Sequence, residues 1–316
     1  MYLNHFGLNE LPFKITPDTD FLFLSAGLQE AMNVVLVALS TGEVFVKITG
    51  EVGTGKTLLC RQLLATLDQM DFVTCYILNP LMGPQDAYKA FADELGLTLP
   101  DESEGFQGFI KRINEHLLML HGQGKKVVLL IDEAQSLSDA TLEAIRLMTN
   151  LETKKQKILQ VVLVGQTELD VRLNSQHNLR QLQQRISFSS KVPPLSAQET
   201  ERYIGHRLQV AGGQGREIIA HRACRQIFRY SRGIPRLINV LSHKALLAAF
   251  GTGDQQVSPK HVQLAAKDTD GVQVSQRWRP NLSLTNLSLT DLRWTDGLML
   301  LVILLAGLYW WWRMHP

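Results

Sequence analysis

The sequence has few cysteines and no arrangement of them that would build a disulfide framework or a zinc site. Cys60, Cys75 and Cys224 lie far apart, and none has a second cysteine or a histidine at metal-ligand spacing. This pattern is typical of a reduced, cytosolic chain. The first residues also lack a basic stretch followed by an apolar run, so we expect no signal peptide.

An excess of charge of one sign is also missing. The 32 Lys and Arg residues nearly balance the 30 Asp and Glu residues, which leaves a net charge of +2. This balance gives no support to an extended nucleic-acid-binding surface. The 316 residues, 45% of them hydrophobic, are enough to build two domains with packed cores.

Apolar segments alternate with helical patterns up to Pro193 and Pro194, and only helical patterns follow. Because strands alternate with helices, we predict an α/β domain over residues 1–194, with a parallel sheet covered on both faces. A smaller α-helical domain is predicted over residues 195–267. The five predicted strands are 44–49, 72–78, 127–131, 158–164 and 186–192, and the predicted helices after Pro194 are 197–211, 216–231, 235–249 and 259–266.

A glycine-rich motif, GEVGTGKT, lies between the first predicted strand and a helix and matches G-x-x-x-x-G-K-[ST]. Glycines let the backbone approach phosphate groups, and the amides of the following helix N-terminus face the anion. Lys56 is predicted to contact the β- and γ-phosphates of a nucleotide, and Thr57 to bind Mg²⁺. The predicted nucleotide-binding residues are Gly50, Glu51, Val52, Gly53, Thr54, Gly55, Lys56, Thr57, Leu58 and Asp132.

Two acidic residues end the third predicted strand, in the run VVLLIDE. Ligands bind at the carboxyl edge of parallel sheets, so these acids are expected to meet the phosphate loop there. Asp132 is predicted to hold Mg²⁺ together with Thr57. Glu133 is predicted to orient or deprotonate the attacking water.

The order of these motifs resembles the AAA+ family of P-loop ATPases. The resemblance implies a nucleotide sensor at Gln166, in VGQT after the fourth strand. This family more often has Asn, Ser or Thr there, which leaves open whether Gln166 or Thr167 serves. It implies an arginine finger at Arg185 or Arg180, with Arg185 preferred, and hence a homo-oligomer with shared sites. It also implies that Arg236, in SRGIPR, is the sensor of a helical lid.

The N-terminal block YLNHFGLNELPFKITPDTDFLFLS, together with VGQTELD and LRQLQQRI, resembles the ExeA/MshM group of bacterial secretion and pilus ATPases. That resemblance implies an ATP-hydrolysing protein that supports assembly of a type IV (MSHA-like) pilus or a secretion machine. Its partners would be inner-membrane or periplasmic assembly proteins.

A hydrophobic run without charges, residues 297–312, follows a polar linker predicted over residues 268–293. We predict a transmembrane helix over 294–313, with shallow insertion or docking against a partner as alternatives. Because the nucleotide site must face ATP, the ATPase domain is expected on the cytoplasmic side of the bacterial inner membrane, with membrane lipid as a partner.

Two other functions remain open from the sequence. Origin-recognition and transposition ATPases share this branch of the family, so a nucleotide switch acting on DNA is one alternative. The near-neutral charge and the hydrophobic run disfavour it. The other alternative is a scaffold that binds nucleotide without hydrolysing it.

Overall fold

The computed structural model describes residues 2–16, 18–78, 81–98, 105–150 and 157–269. The chain divides into two compact units, Met1–Val274 and Ser275–Pro316, and every described residue belongs to the first. No helix in the described ranges is both long and apolar enough to cross a bilayer. The predicted transmembrane helix over 294–313 lies outside those ranges, as does nearly all of the predicted linker.

The five predicted strands form one parallel sheet. Their observed bounds lie within one residue of the predicted ones, and their spatial order is β2-β3-β4-β1-β5. The prediction of a five-stranded parallel α/β sheet flanked by helices is therefore confirmed. The strands are β1 (Phe45–Gly50), β2 (Phe72–Ile77), β3 (Lys126–Ile131), β4 (Leu159–Gly165) and β5 (Ile186–Val192).

Helices cover both faces of the sheet, which explains why the interior strands β3 and β4 are buried almost throughout. Successive β3 residues point to opposite sides: Leu129 belongs to the core on one face, and Val128 and Leu130 belong to the core on the other. The helices of this region are α1 (Leu3–Phe6), α2 (Ala26–Thr41), α3 (Lys56–Leu67), α4 (Pro84–Glu94), α5 (Gly105–Gly122), α6 (Asp139–Met148), α7 (Thr167–Ser175) and α8 (Arg180–Arg185).

The helices predicted after Pro194 are present as α9 (Ala197–Val210), α10 (His221–Ser231), α11 (Pro235–Thr252) and α12 (Pro259–Lys267). One of them begins later than predicted. The helix expected from residue 216 starts at His221, because Ile219 pairs with Val257 in an isolated parallel bridge. The Ile218 carbonyl accepts the Val257 amide at 2.8 Å and the Ala220 amide donates to the Val257 carbonyl at 3.1 Å, and these bonds take the place of a first helical turn.

The N-terminal segment packs into the core of these C-terminal helices. Phe13 and Phe21 are buried there. Arg207 holds the segment in place: its Nε donates to the Pro12 carbonyl at 2.6 Å, and its guanidinium carbon lies 4.8 Å from the centre of the Phe21 ring. Its Nη1 donates to the Tyr203 hydroxyl at 2.8 Å. The N-terminal segment and the helical core are thus one packed body, while the predicted domain boundaries at 194 and 267 stay predictions.

A close backbone contact at Gly233 fixes the segment that leads from β5 into α9. The Leu195 amide donates to the Gly233 carbonyl at 2.8 Å, and Gly233 has φ +78°. A Cβ at Gly233 would lie 1.9 Å from the Leu195 carbonyl oxygen, which belongs to the backbone and has no rotamer to escape by. Only glycine fits at this position.

We therefore expect Gly233→Ala to destabilise the protein by at least about 2 kcal/mol, from the steric clash and the left-handed backbone together. Gly251→Ala is the control, because a Cβ there meets nothing within 4 Å. In a helix, that change should be neutral or stabilise by about 0.5–1 kcal/mol. Urea unfolding of both variants makes the measurement, and equal midpoints would contradict the clash.

Candidate functional site

Three neighbouring strands carry the predicted site residues at one edge of the sheet. The phosphate loop follows β1, Asp132 and Glu133 follow β3, and Gln166 follows β4. Because β4 lies between β3 and β1, the carboxyl ends of all three strands meet. The sheet order therefore brings together segments that are more than a hundred residues apart in sequence.

The phosphate loop depends on two glycines in left-handed conformations, Gly53 at φ +82° and Gly55 at φ +98°. They turn the chain so that α3 begins at Lys56, directly after the loop. The free amides at the start of α3 form an anion-binding end. Gly53 also contacts the helical region, since its carbonyl accepts the Arg236 amide at 3.2 Å.

Lys56 is buried and folds back over the loop. Its Nζ donates to the Gly50 carbonyl at 3.0 Å and to the Glu51 carbonyl at 2.9 Å. Burial lowers the pKa of this ammonium, and the charges of Glu133 and Asp132 act in the opposite direction. A phosphate group approaching the loop would supply the negative charge that this cation lacks as a direct partner.

Thr57 and Asp132 form a pair of oxygen donors beside the loop. The Thr57 hydroxyl donates to Asp132 Oδ2 at 2.7 Å, and the carboxylate is fully buried. The Tyr76 hydroxyl lies 3.5 Å from the same oxygen, and burial raises the pKa of Tyr76, which keeps it a neutral donor. No larger set of His, Cys, Asp or Glu ligands occurs in the described chain. One hydroxyl and one carboxylate fit Mg²⁺, which completes its shell with phosphate oxygens and water.

Glu133 is held by two side-chain amides. Its Oε2 accepts from Gln135 Nε2 at 2.5 Å and from Gln166 Nε2 at 3.1 Å. Gln135 Oε1 in turn accepts the Gln166 backbone amide at 2.9 Å, which fixes the orientation of the Gln135 side chain. Glu133 itself has φ +53°, a conformation that non-glycine residues rarely adopt and that is concentrated at functional sites.

Gln135 is a site residue that the sequence analysis missed. Its only sequence signal is its position two residues after Glu133, in the run IDEAQ. Arg172 supports it from α7: Nη1 donates to the Gln135 carbonyl at 2.6 Å, and Nη2 binds Asp139 at 2.5 Å. Neither interaction follows from any motif, because each joins segments that only the fold brings together.

A cavity of about 830 Å³ opens in front of the phosphate loop. Loop residues 52–58 line one side of it, with Glu133 and Arg236. Its volume lies in the range of small-molecule sites. The far side was not predicted from sequence and combines apolar residues of the N-terminal segment with polar residues of α9 and α11. Those lining residues include Leu11, Phe13, Ile15, Phe21, Phe23, Tyr203, Arg207, Asn239 and His243.

The predicted arginines have different surroundings. Arg236 lines the cavity, at the start of α11. Arg185 is half-buried and its Nη1 donates to Thr149 Oγ1 at 3.2 Å. Arg180 is exposed, and its side chain bonds to no residue of the described chain. Neither Arg180 nor Arg185 lines the cavity of its own chain.

Residues 40–173 match the family profile described as "AAA domain". General secretion pathway protein A from Aeromonas hydrophila is 42% identical over 282 residues, which cover 89% of this chain and 51% of that protein. This chain thus spans about half the length of the curated relative that it matches.

Solved structures with a similar fold include ORC2 from Aeropyrum pernix, with a TM-score of 0.61 and 16% identity over 84% of this chain and 73% of that one. Cdc6p from Pyrobaculum aerophilum has a TM-score of 0.62 and 18% identity over 80% and 71%. At such identities these likenesses show the fold alone. Residues 40–173 of this chain are thus similar to an AAA domain, and 89% of the chain is similar in sequence to about half of General secretion pathway protein A.

Proposed function

We propose that this chain binds ATP with Mg²⁺ at the carboxyl edge of the sheet and hydrolyses the bond to its terminal phosphate. The observation that carries the proposal is the position of Glu133, held by Gln135 and Gln166 beside the Thr57–Asp132 pair. A carboxylate that only ended a turn would not require hydrogen bonds from two side-chain amides. A carboxylate that must orient water at a fixed place does require them.

Each residue has a defined role in this proposal. Lys56 exchanges its loop carbonyls for the β- and γ-phosphate oxygens, as its buried position favours. Thr57 and Asp132 hold Mg²⁺, which neutralises phosphate charge when bound. Glu133 accepts a hydrogen bond from the attacking water and takes its proton as the water oxygen bonds to the γ-phosphorus. The bond from that phosphorus to the β,γ-bridging oxygen breaks at the same time, and ADP and inorganic phosphate leave. Gln166 orients Glu133 and contacts the γ-phosphate.

We propose that Arg236 couples nucleotide binding to the position of the C-terminal helices. Its backbone amide already bonds to Gly53, and its side chain lines the same cavity as Lys56. A guanidinium drawn toward the γ-phosphate would pull the start of α11 with it. Because α11 packs with α9, α10 and α12, the movement would be shared by the helices as a group.

We also propose a homo-oligomer in which an arginine of one subunit completes the site of the next. Both Arg185 and Arg180 stay candidates for this finger. The Arg180 side chain is exposed and makes no hydrogen bond within the described chain, so it is free to reach a neighbouring subunit. The Arg185 side chain is bonded to Thr149.

The proposed setting is the bacterial inner membrane, with the ATPase on the cytoplasmic side and residues 294–313 as the anchor. The relative that supports this setting is named as a general secretion pathway protein, and the uncharged run 297–312 is the sequence feature in its favour. The machine served would be a type IV (MSHA-like) pilus or a secretion apparatus. The pilus alternative rests on the resemblance of sequence segments.

The first test measures ATP binding and turnover by the full chain in Lys56→Ala and Glu133→Gln variants. Lys56→Ala should weaken ATP binding on the order of 100-fold, because a charged contact to phosphate is lost. Glu133→Gln should bind ATP within about threefold of wild type, while turnover falls about 10²–10⁴-fold. The controls are exposed residues remote from the cavity, Lys111→Ala and Glu115→Gln. Tight ATP binding without turnover in wild type would indicate the non-hydrolysing scaffold.

Gln135 gives a second prediction. Gln135→Ala should reduce kcat about 10–100-fold with KM nearly unchanged, because it removes a hydrogen bond to Glu133 but no contact to nucleotide. Gln183→Ala is the matched control, since that exposed amide bonds only to Asn174 among the described residues. A rise in KM without a change in kcat would rule out the positioning role.

The shared site is tested by mixing inactive variants. Lys56→Ala retains both arginines, and an arginine-finger variant retains Lys56, so a mixed oligomer contains some complete sites. We expect activity to return when Lys56→Ala is mixed with Arg180→Ala or with Arg185→Ala, whichever residue is the finger. If a variant is inactive alone and in every mixture, that arginine acts within its own subunit.

A further inference from the structure

One face of α10 is made of arginines. Arg222, Arg225 and Arg229 recur at helical spacing, and Arg232 directly follows the helix; all four are exposed. We call these four residues the α10 arginine face. The opposite side of the helix, with Ala223, Cys224 and Ile227, is buried against α9, α11 and α12. The arginines therefore point away from the packed core.

The α10 arginine face has no acidic partners within the described chain. None of the four side chains makes a hydrogen bond or ion pair with a described residue, and α10 contains no Asp or Glu. Two acids bond to His221, the first residue of α10: Glu201 bonds to its ring at 2.6 Å, and Glu217 accepts its backbone amide at 3.1 Å. Like charges with no counter-ion repel one another, so this arrangement gains from an external anion.

We propose that the α10 arginine face docks on the anionic phospholipid surface of a membrane. Positions 222 to 232 span roughly 15 Å of helix, which matches a row of neighbouring headgroups rather than one small ion. Guanidinium groups bind phosphate oxygens through paired hydrogen bonds. Each basic residue near such a surface strengthens binding by about fivefold.

Two observations favour lipid over nucleic acid. The net charge of +2 gives no support to an extended nucleic-acid-binding surface beyond the α10 arginine face. The chain also continues from α12 through residues 268–296 to the uncharged apolar run 297–312. The segment 268–296 reaches at most about 100 Å when fully extended. It is therefore long enough for α10 to contact the same membrane surface that the apolar run 297–312 would enter.

The experiment measures protection of individual arginines in the full chain. The protein is reconstituted in nanodiscs of phosphatidylcholine, or of equal parts phosphatidylcholine and phosphatidylglycerol. It is then treated with phenylglyoxal and analysed by peptide mass spectrometry. We expect modification of Arg222, Arg225 and Arg229 to slow about tenfold in the anionic discs and to recover at high salt, because screening weakens the contact. Exposed Arg180 is the internal control and should react equally in both.

Variants give an independent check through Arg232, which is left intact as the reporter. In Arg222→Gln/Arg225→Gln/Arg229→Gln, Arg232 should lose its lipid-dependent protection. Arg232 should keep that protection in Lys111→Gln/Lys125→Gln/Lys191→Gln, which removes the same charge from other exposed positions.

Equal modification of the arginines in both kinds of disc overturns the proposal. Protection by duplex DNA in neutral discs, with none from anionic lipid, overturns it in favour of nucleic acid. Neither outcome depends on ATP hydrolysis.

Discussion

The complete burial of β4 is the constraint on which the site depends. Every residue of this strand is buried, and its neighbours are β3 on one side and β1 on the other. It has one amide side chain, Gln160, whose Nε2 donates to the Leu39 and Glu43 carbonyls at 3.2 and 2.7 Å, so the amide nitrogen is paired within the core. Because β4 separates β1 from β3 by one strand width on each side, it sets the distance between the phosphate loop and the acidic pair.

The polar groups at this edge of the sheet are held in place by successive hydrogen bonds. Asp132 is fixed by Thr57 and by the Glu133 amide at 2.8 Å, and Glu133 is fixed by Gln135 and Gln166. Arg172 then holds the turn that carries Gln135. Each group that would act on nucleotide thus has a second group that removes its rotational freedom. Such preorganisation is what electrostatic catalysis requires.

The cavity links this edge to a body built from both ends of the described chain. The N-terminal segment supplies apolar lining and packs on the C-terminal helices, and Arg207 ties the two together through Pro12 and Phe21. Arg236 touches the phosphate loop from the same body. A ligand in the cavity would therefore contact the sheet on one side and this helical body on the other, which is the arrangement needed to couple nucleotide state to helix position.

The sequence by itself determined the elements and the chemistry close to the motifs. Apolar segments between helical patterns located all five strands, and GEVGTGKT and IDE located the loop and the acids, because these signals are local in the chain. Only the tertiary structure decided which side chains meet. The strand order, the amides of Gln135 and Gln166 on Glu133, and the docking of the first residues on α9 and α11 depend on contacts between distant segments. No periodicity or spacing encodes such contacts, since they follow from how the layers pack.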